Sequence, residues 1–277
     1  MAGAGLDGQV YVWNVESRVL VHEFPTTIRS GGVSLALSAD GSTCFAGTYY
    51  AWGVACVDLS ERRELWRRSD LKRFYGLAFV PHDGSLVGWF DGRAGQVLDG
   101  RTGQSIERRH GLSAFYASRF DRSVLKYARQ LELINAFGER HRWSRESFAL
   151  LDAGFSPESC VVSEVGGAVR AFELDTGHLT WTYQPSPGTH VTLLDFAPRL
   201  GRFVAMEYAY TAAARETAPM VSLLHFEPGG QVVFRRAVRD WSVAVFAGNG
   251  EFLLNGLGEL HEVETGDVVH VFTDFPR

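Results

Sequence analysis

Three glycines near the start, Gly3, Gly5 and Gly8 in MAGAGLDGQVYVWNV, are spaced G-x-G-x-x-G, the spelling of a loop that wraps a dinucleotide pyrophosphate. That chemistry needs a strand before the glycines and a helix after them, because the helix N-terminus supplies donors to phosphate. Only Met1 and Ala2 precede them here, and QVYVWNV beyond alternates apolar and polar residues as a strand does. Leu6-Asp7-Gly8-Gln9 therefore reads as a hairpin turn, and no nucleotide is expected. Ser186, His190 and Asp195 are the residue types of a hydrolytic triad. A strand separates the last two, no G-x-S-x-G accompanies them, and nothing fixes their geometry. The histidines form no H-E-x-x-H and none sits near a cysteine in zinc spacing, so no metal is expected. His225 and His261 alternate with apolar neighbours and read as hydrogen-bonded core residues. Cys44 and Cys56 could face each other across a hairpin, but with Cys160 they form no disulfide pattern, and free thiols are expected.

Such residues act only where a scaffold places them, and the scaffold is written as repeats. GAVRAFELDTGHLTWTY (167–183) reads as a strand, a D-T-G turn and a second strand carrying Trp181. Asp175 suits the turn through a local side-chain hydrogen bond, and Gly177 through its tolerance of positive φ. The same shape recurs with its turn residue at Arg18, Arg62, Gly103, Gly138, Gly177, Gly230 and Gly266, a mean spacing of about 41 residues. A second set of turns runs between the first, at Asp40-Gly41, Asp83-Gly84, Asp121, Pro157, Gly201 and Gly250, each flanked by apolar runs. Two ladders with one period give four strands per repeat, the spacing of a propeller blade.

DGQVYVWNVESRVLVHEF resembles the end of a WD repeat, with Trp13-Asn14 at the Trp-Asp position. The segment 167–183 is similar to a quinoprotein-type repeat, A-x-D-x-x-x-G-x-x-x-W, through Ala171, Glu173, Gly177 and Trp181; Glu173 stands where that pattern has aspartate. The resemblance implies an all-β fold. The expectation is a seven-bladed β-propeller over residues 1–277 as a single domain, with about 41 residues per four-stranded blade. Ala2–Leu6 reads as the second strand of its blade, so a three-stranded or loosely closed first blade with adjacent termini is expected. The quinoprotein side of the resemblance implies a calcium-bound quinone and a vicinal cysteine pair. No two cysteines are adjacent here, so Trp181 is read as a blade-packing residue and no cofactor is expected.

The net charge of −5 argues against general nucleic-acid binding, and no run of about 18 apolar residues suggests a membrane span. No export signal is visible, so a soluble cytoplasmic protein is expected. With blade strands named a to d from the axis outward, b–c and d–a connections share one face. Arginine clusters follow strand d repeatedly, giving Arg68, Lys72, Arg73, Arg109 and Arg239 there, with Trp241 beside the last. The b–c loops add Tyr49, Tyr50, Trp52 and Arg93, and the insertion YAYTAAARETAPM (208–220) adds Tyr208, Tyr210 and Arg215. Tyr, Trp and Arg are the residues of binding hot spots. They make this face the candidate surface for a protein partner of acidic or mixed charge. The competing reading is an enzyme, a lyase or hydrolase with its site over the axis. It would need acids and histidines gathered from several repeats, and Asp70, Asp91, Asp240 and His190 are scattered.

Overall fold

The computed structural model describes residues 2–4, 9–25, 33–38, 40–48, 53–71, 74–80, 83–90, 94–110, 112–117, 123–127, 130–134, 140–144, 150–164, 168–213, 221–238, 244–247, 250–255 and 257–273. All regular structure of note in them is antiparallel strand. A three-stranded sheet holds β1 (Ala2–Ala4), β2 (Gln9–Asn14) and β3 (Val19–Pro25). The next holds β4 (Val33–Leu37), β5 (Thr43–Thr48), β6 (Val54–Asp58) and β7 (Arg63–Arg68). It is followed by β8 (Phe74–Val80), β9 (Ser85–Phe90), β10 (Ala94–Asp99) and β11 (Ser105–His110). Then come β12 (Leu112–Ala117), β13 (Ser123–Tyr127), β14 (Gln130–Ile134) and β15 (Arg140–Ser144). The last three sheets begin with β16 (Leu150–Phe155), β17 (Ser159–Glu164), β18 (Val169–Glu173) and β19 (Leu179–Tyr183). They continue with β20 (Thr189–Ala197), β21 (Arg202–Ala209), β22 (Val221–Phe226) and β23 (Val232–Ala237). They end with β24 (Ala244–Ala247), β25 (Phe252–Asn255), β26 (Glu259–Glu262) and β27 (Val268–Val271). Every sheet is an up-and-down meander in chain order.

The turn residues explain the repetition. Arg18, Arg62, Gly103, Gly177, Gly230 and Gly266 all have positive φ, from 53° to 84°. A left-handed residue closing a short hairpin forces a bulge into the ladder behind it. That bulge recurs at Val12/Trp13, Cys56/Val57, Val97/Leu98, Ala171/Phe172, His225/Phe226 and Leu260/His261. The expected side-chain acceptor sits at the first residue of the turn and not at Asp175. Asn14 Oδ1 accepts from Ser17 N at 2.9 Å, Asp58 Oδ1 from Ser60 N and Glu61 N at 2.9 Å, and Asp99 Oδ1 from Thr102 N at 2.7 Å. The asparagine of the Trp13-Asn14 pair is therefore a turn cap. Gly138 lies outside the described residues.

The chain divides into two compact units, Met1–Glu146 and Ser147–Phe275. Within the first, β1 packs on β4, β4 on β8 and β8 on β12; within the second, β16 packs on β20 and β20 on β24. The expectation of a seven-bladed ring is corrected by this pattern. A closed ring of seven blades has seven such junctions; the described residues give five within the two units, and the first sheet has three strands. The physical reason is that a repeat contacts only its neighbours, so the sequence period reports the hairpin unit and carries no information on closure.

Alternation along the strands builds the core. Val161, Val169 and Ala171 of one sheet meet Val191, Phe203, Ala205 and Phe226 of the next, all at most 4% exposed. The two sheet faces separate the cysteines. Cys44 packs with Val10, Val12 and Leu59, whereas Cys56 packs with Phe45, Leu77 and Leu86 on the opposite face. Both are free thiols, and burial pushes each up to about 12. His225 and His261 are buried as expected: His225 Nε2 lies 2.8 Å from Val263 O, and His261 Nδ1 lies 3.1 Å from Gly266 O.

The outer strands lock each sheet to its neighbour. Trp66 of β7 donates Nε1–H to Gly100 O at 2.9 Å, and its ring lies so close to Gly103 that a Cβ there would sit 2.6 Å away. Trp181 covers Gly230 at the same 2.6 Å, which is the blade-packing role read for it. Arg236 takes that place against the last turn, bonding Thr265 O and Asp267 Oδ1.

Candidate functional site

The β20–β21 ladder places a histidine against two tyrosines. Its register pairs His190 with Tyr208, and the ladder continues where Tyr210 N donates to Gly188 O at 2.9 Å. Residues 190, 208 and 210 therefore share one face, since side chains alternate across a strand. The His190 ring stacks on Tyr208 with centroids 5.8 Å apart and tilts against Tyr210 at 5.3 Å. Met206 and Leu253 close the buried side of this face, and Tyr210 at its end is 48% exposed. Burial holds His190 below its usual range. Burial also pushes the Tyr208 hydroxyl up to about 12, and the Asp152 carboxylate adds to the rise. The His190 imidazole and the Tyr208 phenol are therefore both neutral near pH 7.

Asp152 comes from β16, the neighbouring inner strand. A register irregularity between Leu150 and Asp152, matched by one between Thr192 and Asp195 on β20, turns polar residues of the two strands toward each other. Asp152 Oδ1 accepts from Ala153 N at 2.8 Å, and Oδ2 accepts from Thr192 Oγ1 at 3.4 Å. Directly opposite Asp152 in the ladder is Ser163, fully buried, whose Oγ has no hydrogen-bond partner. Further along the same pair of sheets Glu207, 4% exposed, pairs with Arg235 and accepts from Thr189 Oγ1 at 3.0 Å. Arg235 also donates to Tyr183 OH at 3.0 Å, which ties β19 to β23. A buried carboxylate needs such partners to stay ionised. At the opposite end of these strands, a shallow groove runs between Ala197–Leu200 and Gly250–Phe252, rimmed by Arg199 and Glu251 at 3.7 Å. Among the described residues no three His, Cys, Asp or Glu side chains converge as a metal site, and no helix is long and apolar enough to cross a membrane.

No family model matches the chain, and no curated protein sequence matches it. Solved structures do. U3-55K superposes with a TM-score of 0.66 at 16% identity, over 92% of this chain and 84% of that one. The WD40 repeats of RRP9 give 0.65 at 16% identity, over 92% and 82%. The dihydro-heme d1 dehydrogenase NirN, in complex with DHE, gives 0.60 at 15% identity, over 97% and 71%. The fold is a β-propeller. At these identities the likeness carries architecture and not activity.

On this propeller the sequence-derived site residues meet different fates. Tyr208 and Tyr210 come together around His190. The Arg68 backbone lies where the b–c face was expected, against Gly53, whose added Cβ would sit 1.9 Å from Arg68 O. Its guanidinium leaves that end, donating to Gly103 O at 2.8 Å and Ser105 Oγ at 3.2 Å while pairing with Asp70 at 2.7 Å. Arg109 is held by Glu107 at 2.9 Å, with 13% of its side chain exposed. Tyr49, Tyr50, Trp52, Lys72, Arg73, Arg93, Arg215, Arg239 and Trp241 lie outside the described residues. Asp152, Ser163 and Thr192 were not singled out from sequence. They are short polar residues in apolar strands, and only the pairing of β16 with β17 and its packing on β20 brings them together.

Proposed function

We propose that this chain is a non-catalytic protein-binding β-propeller. The face carrying Tyr208 and Tyr210 is its docking surface, and the arginines of the b–c and d–a connections give the partner's acidic residues their counter-charges. The observation that carries this reading is the ring stack. Tyr210 is half exposed yet backed by His190 and, through it, by Tyr208. A pre-ordered aromatic loses little entropy on binding, which is why such residues anchor interfaces. The WD40 neighbours agree with a binding role. A partner of acidic or mixed charge suits the arginines that the sequence carries in the insertion and the connections.

A second reading has one observation behind it. NirN is a dehydrogenase, and His190, Tyr208 and Asp152 are groups able to hold or move a proton. The two readings part experimentally. Tyr210 replaced by a photo-crosslinking benzoylphenylalanine should trap one protein in stoichiometric yield from the native host's lysate. Tyr210→Ala should weaken capture by that protein at least tenfold, with an unchanged unfolding midpoint. Equal capture by Tyr210→Ala would remove the tyrosine face from the reading.

A further inference from the structure

We infer that the groove at the strand ends opposite the tyrosine face receives a lysine side chain of a protein partner, with its methylenes along the apolar floor and its ammonium among the rim glutamates. This contact is separate from the tyrosine face and goes beyond the binding role proposed above.

The groove is built into the backbone. Its first wall is the turn that follows β20, where Leu200 N donates to Ala197 O at 3.1 Å and Gly201 N to Pro198 O at 3.2 Å. Gly250–Phe252 at the start of β25 forms the second wall, and Glu262–Glu264 at the end of β26 the third. Val263 N donates to Glu251 O at 2.9 Å, which fixes those two walls to each other. Ala197 and Val263 belong to one buried apolar cluster with Leu200 packed against it, so the floor is apolar. A preformed site of this kind loses little freedom when it is filled.

The rim selects the sign of the charge. Among the residues that line the groove, Glu251, Glu262 and Glu264 face one cation, Arg199. Arg199 lies 3.7 Å from the Glu251 carboxylate and its side chain is 73% exposed, so water competes for it and the pairing is weak. Glu262 accepts from Thr265 Oγ1 at 3.1 Å, and a carboxylate has about four lone-pair directions, so it can accept further donors. Glu264 is exposed. An anion would meet three carboxylates, and an apolar side chain would desolvate them without pairing them. Size selects among cations. The enclosed space is about 20 Å³, room for one water-sized group. An ammonium is that compact, whereas the guanidinium of arginine is a wider plane, and the lysine stem can lie along Leu200 and Val263. The lysine belongs to a polypeptide, because a free amino acid would bring its own carboxylate to the same rim.

The test titrates N-acetyl-lysine amide into the uniformly 15N-labelled full chain. It is repeated with N-acetyl-norleucine amide, which keeps the stem and lacks the charge, and with N-acetyl-arginine amide. The expected result is saturable amide shifts at Glu251, Val263 and Glu264 for the lysine probe, with the norleucine probe about tenfold weaker and the arginine probe about threefold weaker. Glu264→Gln and Glu251→Gln should each lower the lysine affinity about threefold, and the double variant about tenfold. If Glu251→Gln disturbs the fold, Glu264→Gln and the norleucine comparison still decide. Equal affinity for lysine and norleucine, tighter binding of arginine than of lysine, or wild-type lysine affinity in the folded Glu264→Gln variant would overturn the inference.

Discussion

The outer hairpin turns and the inner-strand end of the Ser147–Phe275 unit are both assembled from polar residues against aromatic rings, yet they behave as opposites. At the outer turns around Gly103 and Gly266 the facing side chains are committed. Trp66 is bonded to Gly100, Arg68 to Gly103 and Asp70, and Arg236 to Thr265 and Asp267. At the inner end a buried hydroxyl lacks a partner, and a tyrosine stands half exposed on a backed ring stack. The difference separates what closes one sheet on the next from the surface proposed above for a partner. Arginine content alone does not mark a binding face here, because Arg68, Arg109, Arg235 and Arg236 of the outer strands are paired with neighbouring residues.

The sharpest way to break this contrast is at a turn glycine. Gly230→Ala combines a left-handed backbone at φ 84° with a Cβ 2.6 Å from the Trp181 ring. The expected loss is about 2–4 kcal/mol, from backbone strain and overpacking together. Gly201→Ala has a similar φ of 62° but nothing within 4 Å, so only the backbone cost of about 1 kcal/mol remains. Urea unfolding of the two variants measures the difference. Equal losses would mean that the tryptophan does not lock the neighbouring turn.

The same contrast explains which parts could be read from sequence. The turn ladder was legible because one residue fixes its own geometry: the described anchors from Arg18 to Gly266 all have positive φ. Even Arg18 and Arg62, which lack the freedom of glycine, were placed by spacing alone. Ring closure was not legible, since each hairpin repeats whether or not the last sheet meets the first. Tyr208 and Tyr210 were legible as aromatics at the root of a long insertion. Ser163 and Asp152 were not, because their meaning depends on a ladder register and on a neighbouring sheet. Arg68 was half legible: the backbone position followed from the repeat, and the direction of a long flexible side chain did not.

A smaller effect sharpens the comparison at Arg68. Arg68→Ala removes the bonds to Gly103 O and Ser105 Oγ and the pair with Asp70. The side chain is 27% exposed, so solvent screens part of the loss, and about 1 kcal/mol is expected. Tyr210→Ala should leave the urea midpoint within about 0.5 kcal/mol of wild type, as surface changes usually do. The reverse order, a stable Arg68→Ala and a destabilised Tyr210→Ala, would exchange the roles assigned to the two regions.

The smallest expected effect is a pH slope. His190 and His225 both have pKa values below the ordinary 6.5 through burial, with Arg202 adding to the shift at His225 and the Val263 bond opposing it. Each is therefore neutral in the folded protein at a pH where the unfolded chain already takes up a proton. The unfolded state then binds more protons, so stability falls as pH drops below about 6.5 and levels off below the folded pKa. The depressed carboxylates, among them Asp40 at about 2, act in a separate window below 3.8. A thermal midpoint that declines between about pH 7 and 5, before that window opens, isolates the histidines. His225→Gln should flatten the decline, because it removes the titration while retaining a donor toward Val263 O. His190→Gln should flatten it less, since His190 is the less enclosed of the two. If His190→Gln flattens it more, the ring stack at the inner end is tighter than its half-exposed tyrosine suggests, and the contrast with the committed outer turns narrows.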